Sequence, residues 1–451
     1  MSGLAKYLVE DGFAVMGSDI KQNRNTAELE KLGAKIFIGH DEENLPDNCV
    51  VVASTAIKED NPELIKAKRL GLEILHRSDL LARISNGLIG TKKKCFIGYS
   101  GTHGKTTTSG LASYVLEKAG FSPSFVVGGI VPEFGINSNA GAGDFFVAEL
   151  DESDGTIVNY QPEISVINNL EVDHVDFYTD GLQEILDTFK TYLSTLPTGA
   201  KVLINNDNEG NNKLIEQNSE VKFITFGLNN ADYTAKNIEL GQTSTFDIYY
   251  KDKLLVSLKT QMLGEHNVYN ALAVLASLNE AGVDINLVKD HFYTFTGMGR
   301  RFQLSASFDG ISVYDDYAHH PTEIKATLSA MKVFKNNTVG KNIVAVFQPH
   351  RYSRFAGLWD EFLTAFSDAD RVFITDVYAA SEKPIEEADS DVFAESLSKK
   401  VPCEHLSGSI SEVAQQLLPK LNPNDTVVGL GAGTITTLGK DLLNIKEEIK
   451  V

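Results

Sequence analysis

A short apolar run, CFIGYS (95–100), passes straight into GTHGKTTT (101–108) and then into a helical pattern, SGLASYVLEKAG (109–120). A strand that hands over to a helix through such a glycine-bearing loop can fold in few ways. The strand lies inside a sheet, and loop N–H groups together with the positive helix end face a single anion. Lys105 is then placed to reach the terminal phosphates of a nucleotide, and Thr106 to offer its hydroxyl to Mg²⁺. Gly101, Thr102, His103, Gly104, Lys105, Thr106 and Thr107 form the candidate nucleotide-binding set. The general pattern carries glycine five residues before Gly104, where this chain has Tyr99. The bland alternative is a glycine-rich turn with a solvated lysine.

Before this loop the chain alternates a helix (MSGLAKYLVEDG), a strand (FAVMGSD), a helix (TAELEKLG), two strands (AKIFIG, CVVVAST), a helix (NPELIKAKRLG), a strand (LEIL) and a helix (SDLLARIS). Such alternation predicts a parallel sheet with helices on both faces. A doubly wound sheet opens with a strand and a glycine-rich turn into its first helix. This chain opens inside that helix, so the expectation is a front end lacking its first strand, through truncation or a misassigned start. Beyond the loop, strands FFVAEL, ISVINNL and KVLINN lead to a β-rich stretch from VKFITFG to LLVSLKT and a helix, HNVYNALAVLASLNEAG. A third unit starts near GMGRRFQ, with strands GISVYDDY, NIVAVFQ, RVFITDV and TVVGLG. The reading is α/β in three domains, 1–90, 91–298 and 299–451.

Charge narrows the partners. Against 41 Lys plus Arg stand 61 Asp plus Glu, a net charge of −20, which argues against a phosphate-backbone binder but not against a local pocket for a small anion. The cysteines Cys49, Cys95 and Cys403 lie far apart in apolar settings, too few for a disulfide framework or a cysteine zinc site. No apolar run reaches the ~18 residues of a membrane span, and no secretory signal pattern opens the chain. The expected location is the cytoplasm.

Strand FFVAEL ends at Glu149 and runs into DESD, with Asp151, Glu152 and Asp154; strand ISVINNL runs into EVDHVDFY, with His174 just past its end. Alone, the acidic cluster reads as a solvated loop and the histidine as structural. Following successive strands of one sheet beside a phosphate loop, they point to a composite metal–phosphate site. No NKxD guanine-reading motif occurs; the nearest string is NNLE.

GTHGKTTT, VAELDESDG, NNLEVDHVDFY, GEHNVYNALA, GMGRRFQ, DDYAHHPTEI and FQPHRYSR stand in the order and spacing of the Mur ligases, and the chain resembles that family over essentially its whole length. The resemblance implies a Rossmann-like nucleotide-sugar domain, a central P-loop ATPase-type domain and a C-terminal Rossmann-like domain. It implies an ATP- and Mg²⁺-dependent ligase of peptidoglycan precursor synthesis, most similar to the type that joins UDP-N-acetylmuramate to L-alanine through an acyl phosphate. Lys105, Glu149, His174 and Arg301 then match catalytic positions, with Thr106, Glu149 and His174 as ligands of two Mg²⁺ ions. Asn267 and Asn270, three residues apart on one helix face, resemble adenine-side contacts, although Asn267 also reads as an N-cap. Arg301 resembles the arginine that reaches the γ-phosphate, its neighbour Arg300 a surface charge, and Asp316 the ribose contact. His319, Arg351 and Arg354 match the amino-acid site; His319 is taken over His320 by motif position. Asp19, His40, Ser54 and Asn137 resemble contacts to the UDP-sugar, and Met1-Ser2-Gly3 the tail of the family's GxGGxGMSG-type loop.

Partners are thus small molecules, with no nucleic acid and no membrane, and the expected state is a monomer or weak homodimer. A tripeptide-adding recycling ligase shares the loop but has EYD and an insertion after the acidic strand, where this chain has DESDGTIVNYQPEIS. Folylpolyglutamate-type ligases lack this kind of first domain. A non-catalytic nucleotide-binding protein is the alternative should the front end be truly absent.

Overall fold

A computed structural model describes residues 1–54, 56–90, 93–174, 177–336 and 342–449. Thr91 and Lys92 of the first inter-unit loop, and Val175 and Asp176 of the EVDHVDFY string, lie outside the described residues. The chain is α/β in three units.

In the first unit the helices Ser2–Glu10, Arg24–Lys31, Pro62–Leu70 and Arg77–Ser85 form as read. Local chemistry sets their ends. Asn23 and Thr26 make a reciprocal capping box. Asn61 caps a helix that has Pro62 in its first turn and ends at Gly71, φ +67°, where only glycine is unstrained. The expected continuous parallel sheet is instead two separate two-stranded parallel pieces. Met16–Asp19 pairs with Lys35–Ile38, and Val51–Ala53 with Ile74–His76. In doubly wound strand order, the opening strand is the one that separates these two pairs. No described strand bridges them.

The central unit carries a ten-stranded sheet ordered Lys253–Thr260, Ser244–Tyr250, Tyr233–Glu239, Phe223–Gly227, Lys201–Asn205, Ile164–Ile167, Cys95–Ser100, Phe145–Glu149, Ser124–Val131, Ile136–Asn139. Its middle is parallel and buried, while the edges are antiparallel hairpins. The hairpin Ser124–Val131/Ile136–Asn139 escaped the sequence reading. Gly128-Gly129 and the polar INSN break the alternation that marks a strand. Asn137 therefore sits in a strand.

Helix Lys105–Lys118 starts four residues earlier than its apolar pattern, because the loop glycines end at Gly104 and KTTT is already helical. It is buried along most of its length and packs on helix Glu265–Glu280. Tyr99, standing where the general loop pattern has glycine, is fully buried and bonds Ser277 Oγ on that second helix at 2.6 Å. It fastens strand to helix and leaves the loop free.

The C-terminal unit is a six-stranded sheet ordered Gln303–Phe308, Ile311–Asp316, Thr426–Leu430, Ile343–Phe347, Arg371–Thr375, Cys403–Leu406, parallel except for its first pair. Strand Ile343–Phe347 shows the period-two division: Ile343, Ala345 and Phe347 face a core with Phe355, Phe362 and Phe366, while Val344 and Val346 face one with Val413, Leu417 and Leu442. Cys49, Cys95 and Cys403 are free thiols. No helix among the described residues is long and apolar enough to cross a membrane.

Candidate active site

Three neighbouring parallel strands converge on one place. Cys95–Ser100 lies between Phe145–Glu149 and Ile164–Ile167, with Tyr99 in register with Glu149 and Ser100 with Ile167. Their carboxyl ends therefore deliver the phosphate loop, Glu149 and the segment 168–174 side by side, where an open parallel sheet binds ligands. The loop needs its glycines. Gly101 has φ +118°, and a Cβ there would stand 2.7 Å from Asn169 O; at Gly104, φ +82°, one would stand 2.7 Å from Asn270 Oδ1. Asn169 anchors the loop by accepting from Thr102 N at 2.9 Å and, through its side chain, from His103 N at 2.7 Å.

Lys105 folds back over the loop, donating to Gly101 O (2.6 Å), Thr102 O (3.1 Å) and Glu152 Oε1 (2.8 Å). Burial disfavours its charge, but Glu152, Asp151 and Glu149 more than offset that, so its pKa lies above the ordinary value. Burial pushes the Glu152 carboxyl up to about 7 against the pull of Lys105. Thr106 Oγ1 donates to Glu149 Oε1 at 3.1 Å, and Glu149 Oε2 accepts from Gly128 N at 2.8 Å. The hydroxyl and carboxylate expected to share Mg²⁺ are thus adjacent, with the oxygen donors a hard cation takes. His174, at φ +51°, is buried, and although the Asp173 carboxylate beside it favours its charged form, burial with Lys105 and Arg354 outweighs that and holds its pKa below the ordinary value, favouring the neutral ring. Neutral imidazole is the form that binds metal.

A cleft beside the loop is lined by His103, Gly104, Asn267, Asn270, Arg301 and Asp316, together with the stacked Phe302–Tyr314 pair. Lys105, Glu149 and His174 are not among its lining residues. Asn270 donates to Asn267 Oδ1 at 2.9 Å. Asn267 is not the N-cap of its helix, since Gly264 takes that place. Asp316 is buried, its two oxygens accepting from Phe302 N and Ala318 N at 2.8 Å, and burial raises its pKa to about 6. Arg300, read as a surface charge, is instead anchored by Asp315 (3.2 Å) and Gly431 O (2.9 Å). A strand end and a loop distant in sequence meet its guanidinium, which local reading could not reveal.

On the amino-acid side, His319 stands 6.0 Å from His350 by ring centroids, and burial lowers its pKa to about 3. Arg354 is buried and donates to Asp173 Oδ1 at 3.0 Å, beside His174. Arg351 caps the short helix Tyr352–Gly357, which also carries Arg354, at φ +68°, its N–H bonded to Tyr378 O at 2.9 Å. His320 is the more buried of its pair and reaches Val172 O at 3.3 Å. In the first unit His40 bonds Ser18 Oγ at 2.8 Å, Asp19 turns its carboxylate to Lys21 N and Asn23, and Ser54 O accepts from Ile57 N. Asn137 lies instead against Gly3 of the first helix. No described contact joins it to Asp19, His40 or Ser54.

Family models described as Mur ligase family, catalytic domain, Mur ligase middle domain, and Mur ligase, glutamate ligase domain match residues 1–88, 100–278 and 300–433. UDP-N-acetylmuramate–L-alanine ligase of Geobacter sulfurreducens is 40% identical over 459 residues, covering 100% of this chain and 96% of its own. The chain belongs to the Mur ligase family. A solved UDP-N-acetylmuramate-alanine ligase of Thermotoga maritima superposes on this Mur ligase with a TM-score of 0.81 at 28% identity, over 100% of this chain and 97% of the other. A murein peptide ligase of Psychrobacter arcticus shares the fold, with a TM-score of 0.71 at 23% identity over 98% and 96% of the two chains.

Sequence reasoning passed over Glu171, Asp173 and Glu323. Each sits inside a quoted motif (EVDH, HHPTE). Two of their ion pairs, Asp173 with Arg354 and Glu323 with His103, form only where the central and C-terminal units meet.

Proposed function

We propose that this Mur ligase forms the amide between the muramoyl carboxylate of UDP-N-acetylmuramate and L-alanine, with ATP, in peptidoglycan precursor synthesis in the cytoplasm. The observation that carries the reading is end-to-end 40% identity with a ligase of that name. A carboxylate does not condense with an amine in water without activation. Its oxygen attacks the γ-phosphorus, ADP leaves, and an acyl phosphate remains. The alanine nitrogen then attacks the acyl carbon, and phosphate leaves the tetrahedral intermediate as the nitrogen loses its proton.

Both steps crowd anions, so the residues' task is charge stabilisation and positioning. Lys105 leaves Glu152 for the β- and γ-phosphates, joined by the loop N–H groups. Arg301, on the junction between the second and third units, approaches the γ-phosphate when those units close and exclude water from the acyl phosphate. Thr106, Glu149 and His174 would hold Mg²⁺, which when bound neutralises charge between the phosphates. Arg351 and Arg354, with His319, would hold the alanine carboxylate.

Phosphate release from ATP, UDP-N-acetylmuramate and L-alanine tests the function. Release with L-alanyl-γ-D-glutamyl-diaminopimelate but not with L-alanine would overturn the substrate assignment. Arg351→Ala is expected to raise the KM for alanine by about 10-fold or more, as loss of a charge-assisted anchor does, with little change for ATP. Equal rises for both substrates would remove Arg351 from the amino-acid pocket.

A further inference from the structure

The phosphate loop carries a histidine that the chemistry above does not use. His103 is nearly enclosed, with 12% of its side chain exposed. Its backbone already serves the loop: the N–H goes to Asn169, and its carbonyl accepts from the Asn168 and Asn169 side chains. The ring points elsewhere. Nε2 stands 3.4 Å from Glu171 Oε2 of the central unit, and Nδ1 stands 3.5 Å from Glu323 Oε1 of the C-terminal unit.

Each carboxylate has further partners that belong to the reaction. Glu323 is the third residue of helix Pro321–Asn336, and its Oε2 accepts from the N–H groups of His319 (3.1 Å) and His320 (3.4 Å). Its Oε1, shared with His103, takes Arg301 Nη1 at 3.4 Å, and His319 Nδ1 lies 3.2 Å from Oε2. Glu171 Oε2 accepts from Thr322 Oγ1 at 2.7 Å. One imidazole thus stands between two units, on a carboxylate that also holds Arg301 and the His319 backbone.

We propose that His103 is a positioning residue, an imidazolium clamp between Glu171 and Glu323 that ties the phosphate loop to the unit delivering Arg301 and His319.

Charge balance supports the protonated form. The groups around the ring are Glu171 from the central unit, Glu323, His319 and His320 from the C-terminal unit, and Arg301, Asp316 and His266 at the cleft; Lys105 is turned to Glu152 and Asp173 to Arg354. Burial holds His319, His320 and His266 neutral at pH 7. That leaves Glu171, Glu323 and Asp316 against Arg301, and a protonated His103 offsets part of the remaining negative charge. Burial disfavours the imidazolium, but Glu171 and Glu323 outweigh it and raise the pKa from 6.5 to about 9. A raised histidine contributes stability in full below pH 6.5 and loses it as pH rises through about 9.

His103, Glu171 and His320 also have the makeup of a cation site. Both His320 nitrogens are engaged, however, with Thr322 N donating to Nδ1 and Nε2 facing Val172 O, each at 3.3 Å. A shared proton fits this arrangement better than an ion.

Small-angle scattering of the full chain without nucleotide, at pH 7.5 and pH 10, tests the clamp. Wild type is expected to be compact at pH 7.5 and to gain radius of gyration at pH 10. His103→Gln and Glu323→Gln are expected to be expanded already at pH 7.5 and insensitive to pH. The side-chain amide introduced by Glu323→Gln keeps an oxygen for the His319 and His320 N–H groups, so that variant retains its helix cap. Variants that scatter like wild type at both pH values overturn the proposal.

A kinetic arm rests on the ligase reading. Both variants are expected to lose about 10-fold in kcat, a typical coupling between sites. Full turnover in both variants overturns the clamp and leaves the ligase reading intact. If wild type shows no alanine-dependent turnover, the ligase reading fails and scattering alone decides the clamp.

Discussion

Lys105→Ala is expected to abolish ligation, lowering kcat by about 10³-fold or more. That is at or beyond the loss seen when one charge-stabilising donor is removed from a preorganised site. The expectation rests on position, because Lys105 is the loop's cation and its present partners are two loop carbonyls and Glu152. Steady-state phosphate release checks it, and near-normal turnover would remove the phosphate-loop argument.

The same substitution carries a stability signature. Glu152 is buried with a pKa raised from 4.5 to about 7. A raised carboxyl gives stability fully present below pH 4.5 and lost as pH rises through about 7. Without Lys105 the ionised carboxyl loses its counter-ion and its pKa climbs further. The melting-temperature deficit of Lys105→Ala should therefore be larger above pH 7 than near pH 6. Equal deficits at both pH values would show that Lys105 and Glu152 are not coupled.

Asp173→Ala is the second large effect. It strands the buried Arg354 guanidinium, and removing one partner of a buried pair costs about 3–5 kcal/mol. Thermal or urea unfolding should show this loss, and Asp173→Ala/Arg354→Ala should recover a good part of it, because no unpaired charge then remains. Additive losses in the double variant would mean the pair is not coupled. Arg354, with His174 and the neighbouring histidines, holds the Asp173 carboxyl well below the usual carboxylate range, against the opposing effect of burial. Its contribution is present above the ordinary carboxyl pKa of 3.8 and fades as pH falls towards the folded value. The Asp173→Ala deficit should accordingly shrink in acid.

Much of the architecture could be read from local pattern. Apolar runs of four to six residues, glycines ending helices and asparagines opening them give the α/β order of all three units, because these signals act within a few residues of chain. The hairpin at Ser124–Asn139 and the division of the first sheet were not legible. Glycines blur the first signal, and pairing between strands distant in sequence decides the second.

GTHGKTTT, Glu149 and His174 could be picked out by type and by their places at successive strand ends, since a parallel sheet gathers its carboxyl ends on one edge. What surrounds them is a matter of tertiary structure alone. That Glu152 takes Lys105, Asp173 takes Arg354, Asp315 takes Arg300 and Glu323 takes His103 follows from contacts across 15 to 220 residues of chain. Residue type in the sequence by itself settled which groups can carry charge in this protein. Burial and the meeting of units decided which charges face each other, because desolvation and Coulomb energy depend on distance through space and not along the chain.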